Sequence, residues 1–147
     1  MTSRDQLVGV WKLQSYLMKP IDGSASSYPM GDKPTGILIY TTSGYFSVQM
    51  MTPGRSKLKG NDWRNGTDVE IREAAEGYVA FSGTYKLDEG KSLVSQTMVV
   101  TLIPNWDGET QQREIKIVGD ALSTSMVAPV IFGGKKSLAQ LVWKRAD

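Results

Sequence analysis

The chain has 147 residues, 40% of them hydrophobic, a net charge of +2, and neither cysteine nor histidine. This length predicts a single domain over residues 1–147 with its own core, and so small a charge does not indicate nucleic-acid binding. Without cysteine or histidine the chain has no disulfide, no thiolate nucleophile, no Ser-His-Asp triad and none of the usual zinc sites. We therefore expect no metal and no cofactor.

The first six residues contain no apolar run, and no segment has the length of a bilayer span. The sequence thus predicts a cytoplasmic protein without a signal peptide or membrane segment. Ser3 is placed to cap a helical turn over residues 3–8, which Gly9 ends. Residues 10–19 then alternate in polarity, which predicts a strand with one solvent-exposed face. The alternation places four side chains on the opposite, inward face: Trp11, Leu13, Ser15 and Leu17.

The middle of the chain predicts a hairpin and then a long loop. Residues 36–42 and 45–51 are rich in strand-forming residues and flank Ser43-Gly44, which is typical of a two-residue link. Both runs are apolar on two faces, so alternation leaves their inward face open. Residues 52–67 are irregular, and Thr67 or Asp68 caps a short helix over residues 69–76. A loop of this length is usually functional or disordered, and we expect it to form a lid over one mouth.

The remaining segments read as strands joined by short turns. Their approximate ranges are 78–87, 92–103, 110–118, 121–128 and 137–145. The total is roughly eight strands, which predicts an all-β protein, an antiparallel up-and-down barrel with one short N-terminal helical turn and one short helix in the long loop. The alternative is a sandwich of two sheets.

An aromatic residue and a cation at the two ends of the chain favour the barrel. The first strand opens with Gly9-Val10-Trp11, and the last closes with Trp143-Lys144-Arg145. If the first and last strands pair, the cation of one can stack on the ring of the other. Such a pairing closes the sheet, and a closed sheet of this size has an interior.

These residues resemble the small lipocalin-like domain proteins of the calycin superfamily. The likeness spans nearly the whole chain and includes Gly36-Ile37-Leu38-Ile39-Tyr40, Gly44 to Gln49, Gly77 to Tyr85 and Ile103-Pro104-Asn105-Trp106, besides the two terminal motifs. The resemblance implies a cup for a hydrophobic small molecule. Barrels of this superfamily are mostly carriers, although several act as isomerases, cyclases or pericyclases.

Polar residues that point into such a barrel are the candidates for chemistry, because an unpaired buried polar group costs about 1–3 kcal/mol. Gln49 and Gln96 lie mid-strand; each can bind a ligand carbonyl, or face solvent, or pair with the other. Arg113 is either an inward donor for an oxyanion or an outward partner in an ion pair. Tyr40 can donate a hydrogen bond or act as a weak acid, or it packs in the core. We predict Tyr40, Gln96 and Arg113 as the catalytic set.

Five further residues are predicted, with Gln49, to contact ligand. Asn105 and Trp106 lie in a turn at one mouth, where the indole can stack on a planar ligand or cap the barrel. Trp63 can close over bound ligand or anchor the long loop. Met51 and Met98 offer adaptable apolar surface.

Without histidine, the favoured activity is one that needs no nucleophile. We predict a cofactor-free cyclase or isomerase of the pericyclase or Diels-Alderase type, and the resemblance implies that it acts in polyketide or terpenoid secondary metabolism. Such a reaction needs only oriented reactants, a hydrogen-bond donor and a dry site. A non-catalytic carrier or sensor of a hydrophobic ligand is the alternative, and a filled barrel serving as an accessory module is the third. The partner is a hydrophobic small molecule, and a homodimer is left open.

Overall fold

The structure is a computed structural model that describes residues 2–147. Within that range the chain forms two short α-helices, nine strands and two 3-10 turns, at Trp63–Asn65 and Pro104–Trp106. The helices and strands are α1 (Arg4–Leu7), β1 (Gly9–Pro20), β2 (Thr35–Tyr40), β3 (Tyr45–Met51), α2 (Asp68–Glu76), β4 (Tyr78–Asp88), β5 (Leu93–Thr101), β6 (Thr110–Val118), β7 (Ala121–Met126), β8 (Val130–Phe132) and β9 (Lys135–Arg145). No helix of the described range has both the length and the apolar character for a bilayer crossing.

The strands form one antiparallel sheet that closes on itself. Each of β1 to β6 pairs with the next strand in the chain, β7 pairs with β9, and β9 pairs with β1 from Trp11–Arg145 to Pro20–Ser137. Eight strands therefore make a barrel, and β8 is an extra strand that pairs only with the start of β9. The predicted barrel is confirmed, and the pairing of β1 with β9 excludes the sandwich.

The predicted inward face of β1 is correct for its first half and wrong for its second. Trp11 and Leu13 are buried, but Tyr16 and Met18 are buried beyond them, where we predicted Ser15 and Leu17. The cause is a bulge between Leu13 and Ser15 in the pairing of β1 with β9. One extra residue moves every later side chain to the opposite face of the strand.

Two other details differ from the prediction. The link between β2 and β3 spans residues 41–44 rather than two residues, because the Thr41 N–H donates to the Tyr45 carbonyl and the Gly44 N–H to the Thr41 carbonyl. The strand β8 was predicted as loop, since three residues between Pro129 and Gly133 are too few to show a period. The helix caps are as predicted: Ser3 and Thr67 both form capping boxes.

One end of the barrel is closed by the contact between the two ends of the chain. The Arg145 guanidinium lies 4.0 Å from the centre of the Trp11 ring, which is fully buried. Its Nη1 donates to the Val8 carbonyl at 2.9 Å and its Nη2 to the Gln6 carbonyl. The Trp11 Nε1 donates to the Leu7 carbonyl at 3.0 Å. The predicted stacking is confirmed, and it ties α1 to the last strand.

We expect Arg145→Ala to lower the free energy of unfolding by about 2 kcal/mol, because the cation–π contact and two hydrogen bonds are lost together. Chemical denaturation followed by tryptophan fluorescence measures this change. Lys144→Ala is the matched control, since Lys144 is exposed on the same strand. Equal stabilities for the two variants would contradict the structural role of Arg145.

Candidate ligand-binding site

The barrel encloses a cavity of about 820 Å³. Alternating residues of the strands turn apolar side chains toward it, as the period of two requires. In β2 and β3, where alternation left the face open, these side chains are Leu38, Val48 and Met50. The volume lies within the range of about 300–1,000 Å³ that small-molecule sites occupy. The barrel is therefore not the filled one of the third hypothesis.

The cavity runs from a closed floor to a mouth at the other end of the strands. The mouth is lined from outside the barrel wall by Ala75 and Glu76 of α2, by the 3-10 turn at Pro104–Trp106, and by β8. The helix thus lies at the mouth, where the lid was predicted. The floor lies toward Trp11 and α1.

Three polar side chains meet at the floor of the cavity. Tyr40 is the last residue of β2, Gln96 lies in the middle of β5, and Arg113 lies on β6; all three are buried and line the cavity. The Gln96 Nε2 donates to the Tyr40 hydroxyl oxygen at 2.8 Å. The Tyr40 ring packs edge-on against Tyr85, with 4.8 Å between ring centres. Sequence reasoning selected these three residues, and the structure brings them together.

Arg113 is a buried cation that lacks a carboxylate partner. It is 6% exposed, and it forms no ion pair with any residue of the range 2–147. Its Nη2 donates to Gln111 Oε1 at 2.7 Å and its Nη1 to the Gln112 carbonyl at 3.3 Å, and both acceptors are neutral. Burial lowers the pKa of Arg113 to about 10. The side chain is therefore still protonated at neutral pH.

Burial acts on the tyrosines of the cavity in the other direction. It raises the pKa of Tyr16 to about 12, and it raises the pKa of Tyr40 despite the nearby positive charge of Arg113. Both phenols are therefore neutral hydrogen-bond donors at neutral pH. Together with Arg113 they can donate to an oxygen atom, but they cannot accept a proton at that pH.

Two buried polar atoms at the cavity have no hydrogen-bond partner within residues 2–147. They are Gln96 Oε1, which is a hydrogen-bond acceptor, and Trp143 Nε1, whose N–H is a donor. Native structures satisfy most buried polar atoms. Unused groups of both kinds on a cavity wall are suited to a ligand that carries oxygen functions.

The structure separates the predicted ligand contacts into two groups. Asn105 and Trp106 line the mouth, where the Trp106 ring packs edge-on against Phe81. Met98 is buried in the core without lining the cavity, and Trp63 is 70% exposed and away from it.

Gln49 and Met51 lie on the outer face of β3, because the inward positions of that strand are Val48 and Met50. Gln49 accepts a hydrogen bond from the Tyr78 hydroxyl at 2.6 Å, and Met51 contacts Arg55. Gln49 and Gln96 therefore do not pair, and neither Gln49 nor Met51 reaches the cavity.

Three lining residues with polar atoms illustrate what the sequence prediction missed: Tyr16, Thr124 and Trp143. Tyr16 was missed because the bulge in β1 is invisible to a simple period. Thr124 alternates with the inward Leu122 and Met126, and that pattern would have identified it. Trp143 was assigned to the closure of the barrel only, although it follows Ala139 and Leu141 at a period of two.

A closed antiparallel barrel with one sealed end and an apolar, ligand-sized cavity defines the class of single-cup binding barrels. A model of the lipocalin-like domain family matches residues 8–146 of the chain. The chain belongs to this lipocalin-like family.

Three known proteins show what the chain resembles. It is 33% identical over 105 residues, 67% of this chain and 95% of the other, to the 4'-hydroxy-3'-methoxypropiophenone carrier protein ppsC of Aspergillus oryzae. A lipocalin-like protein from Bacteroides uniformis is 16% identical, with 95% of this chain and 98% of that chain covered and a TM-score of 0.45. An uncharacterised protein from Bacteroides eggerthii is also 16% identical, with coverages of 95% and 99% and a TM-score of 0.44.

Proposed function

We propose that the chain binds a hydrophobic aryl ketone in the barrel and acts as its carrier. The observation that carries this proposal is the cavity of about 820 Å³ with apolar walls and one polar cluster at its floor. Such a cavity fits a ligand with an apolar body and a few oxygen functions. The similar carrier protein of Aspergillus oryzae is named for a hydroxylated, methoxylated propiophenone, which has this character.

Titration with 4'-hydroxypropiophenone tests the proposal. Trp143 and Trp106 line the cavity, so ligand that enters it alters their fluorescence. We expect saturable binding of one molecule per chain with a dissociation constant on the order of micromolar, or roughly −8 kcal/mol. Calorimetry in the same buffer checks the stoichiometry. No saturable binding of this ketone or of its 4'-methoxy analogue would reject the carrier proposal.

A cofactor-free cyclase or isomerase is the second candidate, and two buried donors at the floor, Tyr40 and Arg113, favour it. The Tyr40 hydroxyl and the Arg113 guanidinium are buried and line a largely apolar cavity, where hydrogen bonds to a developing oxyanion are strong. Cycloaddition requires little more than this and two reacting ends held together.

Product stereochemistry separates the two functions. Under the second candidate, a reactive polyene or quinone methide ketone cyclises faster with the protein than in buffer and with a different diastereomer ratio. Tyr40→Phe then slows turnover on the order of tenfold or more. Rates and ratios equal to those in buffer would leave the carrier function alone.

A further inference from the structure

We infer that the barrel binds a phenolic ketone as its phenolate, with Arg113 as the counter-ion at the floor of the cavity. This inference rests on the proposed carrier function and deepens it. The ligand is bound as an anion, and its phenolate end lies deepest in the cavity. On binding, the phenol O–H bond breaks and its proton passes to solvent water.

The floor of the cavity carries a positive charge without a countercharge from the described residues. An isolated buried cation is costly, and native proteins usually pair it. Arg113 is buried and has neutral hydrogen-bond partners only. It is the one cationic side chain among the described residues that line the cavity. A ligand anion would supply the missing countercharge.

The ionisable groups of the cavity leave Arg113 without a nearby carboxylate. The cavity carries phenols from three strands, Tyr16 on β1, Tyr40 on β2 and Tyr78 on β4, and carboxylates only at the mouth, Glu76 and Glu109. Tyr85 packs behind Tyr40 and away from the lining. Because burial keeps Tyr16 and Tyr40 neutral, they donate hydrogen bonds to an anion and do not compete with it for Arg113.

The charges at the floor and mouth of the cavity orient the ligand. An anionic ligand end is attracted by Arg113 at the floor, and this attraction is strong because Arg113 is buried among apolar walls. Glu76 and Glu109 at the mouth are exposed, and Glu76 is paired with Arg72, so they add only a weak repulsion that solvent screens. The phenolate therefore lies deep, within reach of the Tyr40 hydroxyl. The alkyl ketone end lies toward the apolar mouth, between Trp106 and β8.

A phenol with a para acyl group is more acidic than an ordinary phenol. A simple phenol such as tyrosine has a pKa of about 10, but an acyl group in the para position delocalises the phenolate charge and lowers that value. Ionisation is then inexpensive near neutral pH. A site that binds the phenolate tenfold more tightly than the phenol lowers the pKa of the bound ligand by one unit, since the two equilibria are linked.

The test compares 4'-hydroxypropiophenone with 4'-methoxypropiophenone, which has nearly the same shape but no acidic proton. We expect bound hydroxy ketone to show the red-shifted absorption of its phenolate at a pH where the free ligand is still mostly neutral. We also expect Arg113→Met to weaken its binding at least tenfold, while the affinity for the methoxy ketone changes less than about threefold. Lys116→Met, an exposed position on the same strand, should change neither affinity.

Each outcome decides between the two claims. If the wild-type protein binds the hydroxy ketone with the spectrum of the neutral phenol, the inference is wrong and the carrier function stands. If Arg113→Met binds both ketones as the wild type does, the counter-ion role is wrong. If neither ketone binds the wild type, the carrier proposal fails and the inference fails with it. Circular dichroism of each variant confirms that the barrel is folded.

Discussion

Replacing Gly83 with alanine is expected to lower the free energy of unfolding by about 3 kcal/mol or more, the largest single-residue effect on stability that we predict. A Cβ atom at Gly83 would lie 1.8 Å from the Thr97 carbonyl oxygen and 2.9 Å from the Val99 amide nitrogen. Both contacts are with backbone atoms, which cannot rotate away as a side chain does. The substitution therefore pushes β4 and β5 apart.

The bulge between Ser82 and Gly83 explains why the backbones approach so closely there. Differential scanning calorimetry should show the midpoint falling by roughly 10 °C for a chain of this size. Gly60→Ala is the matched control, because a Cβ at Gly60 meets nothing within 4 Å. A Gly83→Ala protein as stable as Gly60→Ala would show that the two strands are not in contact as described.

Filling the cavity is expected to have the largest effect on binding. Ala139 lies on β9, points into the cavity between the apolar walls, and is buried. Ala139→Phe places a benzyl group in the volume that an aryl ketone would occupy. We expect the affinity for 4'-methoxypropiophenone to fall at least a hundredfold, because ligand and ring exclude each other. We expect the free energy of unfolding to change by less than about 1.5 kcal/mol, since the cavity accepts an apolar ring.

Ala121→Phe is the control for this variant, because it adds the same ring at an exposed position on β7. Calorimetric titration of both variants measures the difference. The pair also distinguishes cavity binding from binding to the exposed apolar residues Val99 and Val100 on β5. Equal affinities for the two variants would place the ketone on the outer surface and contradict the carrier proposal.

Local chemistry made most of the fold predictable. The caps at Ser3 and Thr67 depend on residues within three positions along the chain, and both are present. The inward face of β4 follows directly from its alternation, which is unbroken from Val79 to Leu87. The stacking of Arg145 on Trp11 was predicted from the two ends of the sequence, because a closed sheet pairs the first strand with the last and brings the cation to the ring.

Positions next to irregular pairing were not predictable in this way. The bulge in β1 depends on how β9 pairs with it, and β9 lies more than a hundred residues away in the chain. Tyr16 therefore entered the cavity without a sequence signal. Gln49 was misplaced for a related reason, because both faces of β3 are apolar in part and only its partners decide which face is inside.

The sequence alone determined the kind of chemistry that this protein can contain. Without histidine or cysteine, its polar chemistry is limited to tyrosine, glutamine, asparagine, serine, arginine, lysine and carboxylates. The strand pattern, with an aromatic residue and a cation at the two ends of the chain, favoured a closed β-structure. Only the tertiary structure decided that Tyr40, Gln96 and Arg113 share one floor and that Arg113 is buried there without a carboxylate. The physical reason is that burial and charge pairing depend on long-range strand register, which a local period does not encode.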